Sequence, residues 1–145
     1  MVKNMNYMET AYNLAERAMK NDEVPVGCVI VDKGNIIGCG YNKKEISNIA
    51  ISHAEIMAIV DACKHKNSWR LDDCEMYITL SPCMMCTGAI IESRISKVYY
   101  LLDSTFYANK CFSFDNLNTV LKYSDKELED KYNEMLSNFF KNKRK

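Results

Sequence analysis

Apolar residues recur along this chain with two alternating periods. Tyr7, Ala11, Leu14, Ala15 and Ala18 fall at three-and-four spacing, which predicts an amphipathic helix from about Asn6 to Lys20. Asn21 and Asp22 break the pattern. Val24 to Val31 is β-branched and apolar, and a second such run covers Ile36 to Tyr41 after Asp32-Lys33-Gly34-Asn35, which predicts a hairpin with Gly34 in its turn. Asn42 to Ile51 reads as a polar loop. His53 to Cys63 predicts a second helix, Glu75 to Leu80 a third strand, Met84 to Ser93 a third helix and Lys97 to Leu102 a fourth strand. Ser104 to Ser113 fits either a loop or a short helix. Leu128, Tyr132, Met135, Leu136 and Phe139 form the stripe of a last helix, with Ser124-Asp125-Lys126-Glu127 in the form of a capping box at its start. Strand and helix alternate through the middle with short links. The expectation is one α/β layered domain over residues 1–145, a sheet covered by helices.

Bulk properties narrow the class. A chain of 145 residues suits one domain that buries roughly 70% of its unfolded surface. No apolar run approaches the ~18 residues of a membrane span, and no signal-peptide segment follows Met1 to Met5. Seven cysteines, an odd number without an export signal, read as reduced thiols in a cytoplasm. Lysine plus arginine and aspartate plus glutamate both total 19, so net charge leaves no general nucleic-acid footprint. Lys141, Lys143, Arg144 and Lys145 make the one basic cluster, which fits a solvated tail or a phosphate-contacting one.

Candidate chemistry concentrates in two short motifs, His53-Ala54-Glu55 and Pro82-Cys83-Met84-Met85-Cys86. Two thiolates and an imidazole form a soft, zinc-preferring set, and three protein ligands leave a fourth tetrahedral position for water. Ser81 and Pro82 suit the start of a helix, which would put Cys83 and Cys86 on one face of its first turn, where free amides favour thiolates. His53 and Glu55 are two apart and can converge only on something beyond a helix end. Each motif also has an ordinary reading. Ser52-His53-Ala54-Glu55 is itself a capping-box pattern. Cys83-x-x-Cys86 after a strand also fits a thioredoxin-like redox pair, or a closed structural zinc site completed by Cys63, His65 or Cys74. Neither rival explains a His-x-Glu at a second helix start, so the combination points to an open catalytic zinc site. Cys28 and Cys39 read as small core residues, Cys63, Cys74 and Cys111 lack ligand-like spacing, and Met84 and Met85 read as core filling.

These motifs make the chain resemble the cytidine-deaminase-like zinc deaminases and, among them, the bacterial tRNA adenosine deaminases. The similarity runs from about Met8 to Tyr100, through Asp22-Glu23-Val24-Pro25-Val26-Gly27, Gly38-Cys39-Gly40-Tyr41-Asn42, His53 to Ala58, Trp69-Arg70-Leu71, Pro82 to Cys86 with Gly88-Ala89-Ile90, and Ser93-Arg94-Ile95. Three places depart from it. Ser81 stands where relatives usually carry glutamate, Ser104 and Phe106 where tRNA-acting relatives carry aspartate and lysine, and Ala50, Ile51 and Ser52 replace a usual proline and threonine. The resemblance implies a three-layer α/β/α fold with a mixed central sheet of roughly five strands. It also implies a homodimer and the deamination of adenosine to inosine at the wobble position of a tRNA anticodon. A free base, nucleoside or nucleotide, of guanine or cytidine type, is the alternative substrate. In the implied site His53, Cys83 and Cys86 hold Zn2+, and Glu55 moves protons. Asn42 hydrogen-bonds the base, the Ala54 backbone helps orient it, and Val24 packs on the ring. The ordinary readings of Val24 and Asn42 are a buried strand residue and a turn residue.

Overall fold

The computed structural model describes residues 6–103 and 120–143. Helix α1 (Tyr7–Lys20) is capped by Asn6, whose side chain accepts the Glu9 amide at 2.9 Å. Its buried stripe is Met8, Ala11, Tyr12, Ala15 and Ala18, so Tyr7 and Leu14 flank the core rather than enter it. Strands β1 (Gly27–Asp32) and β2 (Asn35–Tyr41) form the expected hairpin, but β1 starts three residues after Val24, which lies outside the strand. The hairpin's two central residues, Lys33 and Gly34, both have positive φ (51° and 82°), the twist-matched turn for two-residue hairpins. A short helix α2 (Lys44–Ser47) lies in the stretch expected to be loop, and α3 (Ala54–Lys66) continues past Cys63 to the left-handed cap at Asn67. Strand β3 (Glu75–Leu80), helix α4 (Met84–Ser93) and strand β4 (Lys97–Leu102) have the expected limits. Strand β5 (Val120–Lys122) precedes α5 (Lys126–Lys143). Asp125, not Ser124, caps α5, its carboxylate accepting the Leu128 amide at 3.0 Å.

The five strands make one mixed sheet in the order β2-β1-β3-β4-β5. β1 is antiparallel to both β2 and β3, whereas β3, β4 and β5 run parallel, β3 to β4 through the crossover helix α4. Strand alternation divides the core into two layers. Cys28, Ile30, Met76, Ile78 and Val98 pack on one face with Ala54, Ala58 and Ala62 of α3 and Ile90 of α4. Leu101 packs on the other with Met8, Ala11, Tyr12 and Ala15 of α1 and Leu128, Tyr132, Met135 and Leu136 of α5. Helices thus cover both faces, the three-layer α/β/α arrangement.

Strand β2 touches α3 through glycine. A Cβ on Gly40 would lie 2.2 Å from the Ala54 carbonyl oxygen, and one on Gly38 would lie 2.5 Å from that of Ala58. This close approach brings the end of β2 against the start of α3. It also reverses one expectation: Gly38 and Gly40 face the helix, so Cys39 points outward and is exposed instead of lying in the core. Met84 and Met85 are likewise exposed, 53% and 37%, because Cys86 and Thr87 take the inward face of α4. Lys141 and Lys143 lie in the last turn of α5, where Lys143 pairs with Asp22 at 2.6 Å, so these two belong to a helix and not to a tail. The expectations for Ser104 to Ser113 and for Arg144 and Lys145 fall outside the described residues, as do Ser104, Phe106 and Cys111 themselves.

Candidate metal centre and active site

Two helix starts meet at one end of the sheet. His53 is the residue before α3, with extended backbone (φ −80°, ψ 156°), and Cys83 holds the corresponding position before α4 (φ −76°, ψ 177°). Both occupy cap positions, yet neither side chain caps its helix. The expected caps are absent for a visible reason. The Ser52 amide donates to the Ile49 carbonyl at 3.1 Å, so it is not held by Glu55, and the Ser52 hydroxyl accepts from that of Ser47. Ser81 hydrogen-bonds Asp103 at 3.2 Å, and α4 begins two residues later than a Ser81 cap would start it. A side chain at an uncapped cap position projects beyond the helix end, so both donors reach the same space.

His53, Cys83 and Cys86 converge there, with ligand atoms all within 4.8 Å of one another. Their sulfurs lie 3.7 Å and 3.6 Å from His53 Nδ1. Tetrahedral zinc with bonds of about 2.3 Å to sulfur and about 2.0 Å to nitrogen separates such atoms by about 3.5 Å, so the donor set fits the ion. The electrostatics agree. A hydrogen bond from the Cys86 thiol pulls Cys83 down to about 4, while the same bond and burial push Cys86 upward. The pair releases one proton readily and resists losing a second, because adjacent thiolates repel; a divalent cation between them removes that resistance. The hydrogen bond with Cys83 raises His53, against burial, which lowers it.

Glu55, in the first turn of α3, is 4% exposed. Burial raises its carboxyl to about 7, partly opposed by a hydrogen bond from its own backbone and one with Cys86. A carboxyl balanced between its two forms near neutral pH can both take and give a proton. His53, Glu55 and Cys83 line an open cleft of about 770 Å³, together with Val24, Asn42 and Ser81. Val24 is half-buried and touches both core layers. Asn42 Oδ1 accepts the Ala54 amide at 2.9 Å, which leaves its side-chain NH2 as the free donor end and commits the Ala54 N–H within the protein. Cys63, Cys74 and His65 are not in the donor group.

Lys44, Glu45, Ile46 and Phe140 line the cleft without any signal in the sequence, and Glu23 and Lys143 line it although the sequence gives neither a place in the site. Phe140 and Lys143 come from the last helix, and no local pattern links residues so distant. Glu23 carried one signal, an acidic residue against the apolar Val24-Pro25-Val26 run.

Comparison with known proteins identifies the family. The model of the cytidine and deoxycytidylate deaminase zinc-binding region matches residues 1–102. A tRNA-specific adenosine deaminase of Streptococcus pyogenes is 49% identical over 94 residues, covering 65% of this chain and 59% of the relative, so the chain spans under two thirds of that relative's length. One from Aquifex aeolicus is 37% identical and covers 93% of this chain and 92% of its own. A solved structure from work on A-to-I editing by tRNA:A34 deaminases at the wobble position superposes with a TM-score of 0.71 at 32% identity, covering 81% of this chain and 96% of that one. Guanine deaminase from Bacillus subtilis superposes at 0.67 with 37% identity, over 72% of this chain and 67% of its own. A zinc-ready donor set, a buried carboxyl beside it and a match over most of the chain have one common explanation: this protein belongs to the cytidine and deoxycytidylate deaminase family of zinc-binding proteins.

Proposed function

We propose that this protein hydrolyses adenosine to inosine at the wobble position of tRNA anticodons. The observation that carries the reaction type is the pairing of the His53, Cys83 and Cys86 donor set with buried Glu55 on the wall of an open cleft. Those three side chains hold the zinc, which when bound acidifies a coordinated water to a pKa of roughly 7. Glu55 accepts a proton from the attacking water and delivers it to a ring nitrogen of the base. The water oxygen adds at C6, the carbon that bears the amine. Glu55 then takes the proton of the new C6 hydroxyl and passes it to the amine, so that ammonia leaves as the C6 carbonyl forms. Asn42 offers its NH2 to the base. Ala54 contributes through its backbone by fixing Asn42, and Val24 supplies an apolar wall for the ring.

The tRNA substrate is supported by the relatives from Streptococcus pyogenes and Aquifex aeolicus, both tRNA-specific adenosine deaminases, and by a cleft rim carrying Lys44, Lys143 and exposed Phe140. Lysines suit phosphates and an exposed ring suits an unpaired base. The second copy of a homodimer seats on the apolar surface that Met84 and Met85 expose beside the metal ligands. The reaction belongs in the cytoplasm, where tRNA is found; the six described cysteines are all free, as a reducing compartment requires. No described helix is long and apolar enough to cross a membrane.

The test incubates zinc-loaded protein with tRNAs carrying adenosine at the wobble position and, separately, with guanine, cytidine and adenosine. Inosine in the tRNA and matching ammonia are expected. Ammonia from guanine alone would transfer the assignment to the free-base reading, which the similarity to Bacillus subtilis guanine deaminase favours.

A further inference from the structure

Twelve residues separate β2 from α3, and they form an arch over the cleft with Asn42 at one foot and His53 at the other. The feet are tied. The Lys43 amide donates to the Ser52 carbonyl at 3.0 Å, Ser47 Oγ donates to Ser52 Oγ at 2.9 Å, and Asn42 Oδ1 accepts the Ala54 amide at 2.9 Å. The span between them is held from below by one side chain. Glu23 is 2% exposed, and its two carboxylate oxygens accept the Glu45 amide at 3.1 Å and the Ile46 amide at 2.7 Å. Among the described residues no cation forms an ion pair with it. A carboxylate buried in this way is held by amides and by the positive end of the short helix they open.

We propose that Glu23 is a positioning residue for the reaction: its carboxylate pins the arch and so fixes Asn42, the group that meets the base. The kinetic part rests on the deaminase reading given above; the structural part does not. Burial alone does not require a charge here, since a neutral side chain of equal size fills the same space. The charge is needed because both oxygens must accept. Glutamine retains one acceptor and turns an NH2 toward the second amide, so the arch loses one tie and meets a repulsion in its place. The effect reaches Asn42 because the arch is short and closed by the Lys43–Ser52 bond. Zinc binding is spared, because Cys83 and Cys86 are held by the cap and first turn of α4, and His53 by the start of α3.

The experiment compares the full-length wild type, Glu23→Gln, Asn42→Ala and the double variant. Amide hydrogen exchange is read at Glu45, Ile46 and Ala54, with β1 amides as the internal reference. Glu23→Gln should accelerate exchange about 10- to 100-fold at all three positions, the range set by losing a hydrogen bond to a charged acceptor, and leave β1 and zinc content unchanged. On tRNA adenosine it should lower kcat/KM by a similar factor in the wild-type background and by little once Asn42 is already alanine. Unchanged exchange at Ala54, or losses in the double variant that multiply independently, would overturn the proposal. If the wild type deaminates no tRNA, the functional reading falls, and exchange at Ala54 still decides the role of Glu23. Should Glu23→Gln fail to fold, Glu23→Asp, which keeps the charge with a shorter reach, answers the same question by the same exchange measurement.

Discussion

Substituting Gly40 with alanine tests how finely the metal centre depends on the seam between β2 and α3. The new Cβ would lie 2.2 Å from the Ala54 carbonyl oxygen, 2.6 Å from the Ala58 amide nitrogen and 2.9 Å from Met57 Cβ, whereas ordinary contact begins at 3.4 Å. Two of the three neighbours are backbone, so no rotamer change relieves the clash. The first turn of α3 must retreat by about an ångström, taking with it His53 and Glu55, the residues on either side of Ala54. A tetrahedral ligand set tolerates about 0.2 Å, so zinc affinity falls, and a displacement of this size in a catalytic group costs about 100-fold in rate. Overpacking of this kind costs about 1–3 kcal/mol, which for a chain of this size lowers Tm by roughly 2–12 °C. Gly38→Ala is the matched control. Its Cβ would strike Ala58 and Ala62, farther along the same helix, so it should destabilise comparably while losing less zinc and less activity. Tm comes from calorimetry, metal from stoichiometry after dialysis, and rate from inosine formation. If Gly40→Ala kept full zinc and wild-type turnover, or Gly38→Ala damaged the metal site more, the seam would not be what positions His53.

The other predictions address single groups. Glu55→Gln should keep zinc and fold while activity drops by about 10²–10⁴-fold; retained turnover would remove Glu55 from the chemistry. Cys83→Ala should lose bound zinc and activity together, and a variant with full zinc content would mean other ligands. Tyr132→Phe deletes a buried hydroxyl that donates to the Pro25 carbonyl at 2.7 Å, so stability should fall by about 1–3 kcal/mol in denaturant titration, and an unchanged midpoint would contradict that bond. Met84→Lys should convert the proposed dimer to monomer in sedimentation; a wild type already monomeric at micromolar concentration would refute the assembly outright.

Much of this molecule is legible in its sequence, and the misses share a physical cause. The limits of β3, α4 and β4 follow from hydrophobic period alone, because each element buries an apolar face in the standard way. Cys39 is exposed where the pattern predicts core, because Gly38 and Gly40, which carry no hydrophobic signal, take the face of β2 that packs on α3. Ser81 and Ser52 have the chemistry of helix caps, but the cap positions went to Cys83 and His53, whose side chains are turned beyond the helix ends. The metal motifs were readable as short words because their spacing is local. The cleft was not, since Glu23, Asn42 and Lys143 meet only after folding.

The fastening of the last helix to the cleft also bears on how the protein matures. Tyr132 holds the Pro25 carbonyl and Lys143 holds Asp22, so the segment at 22–26 that walls the cleft is secured by residues made more than a hundred positions later. A chain emerges from the ribosome N-terminus first and folds as it appears. The hairpin and metal ligands of this one are available early, but the wall behind Val24 is fastened only after α5 has left the exit tunnel. The metal ligands are therefore made before the helix that secures the cleft wall, so zinc capture is expected to precede completion of that wall.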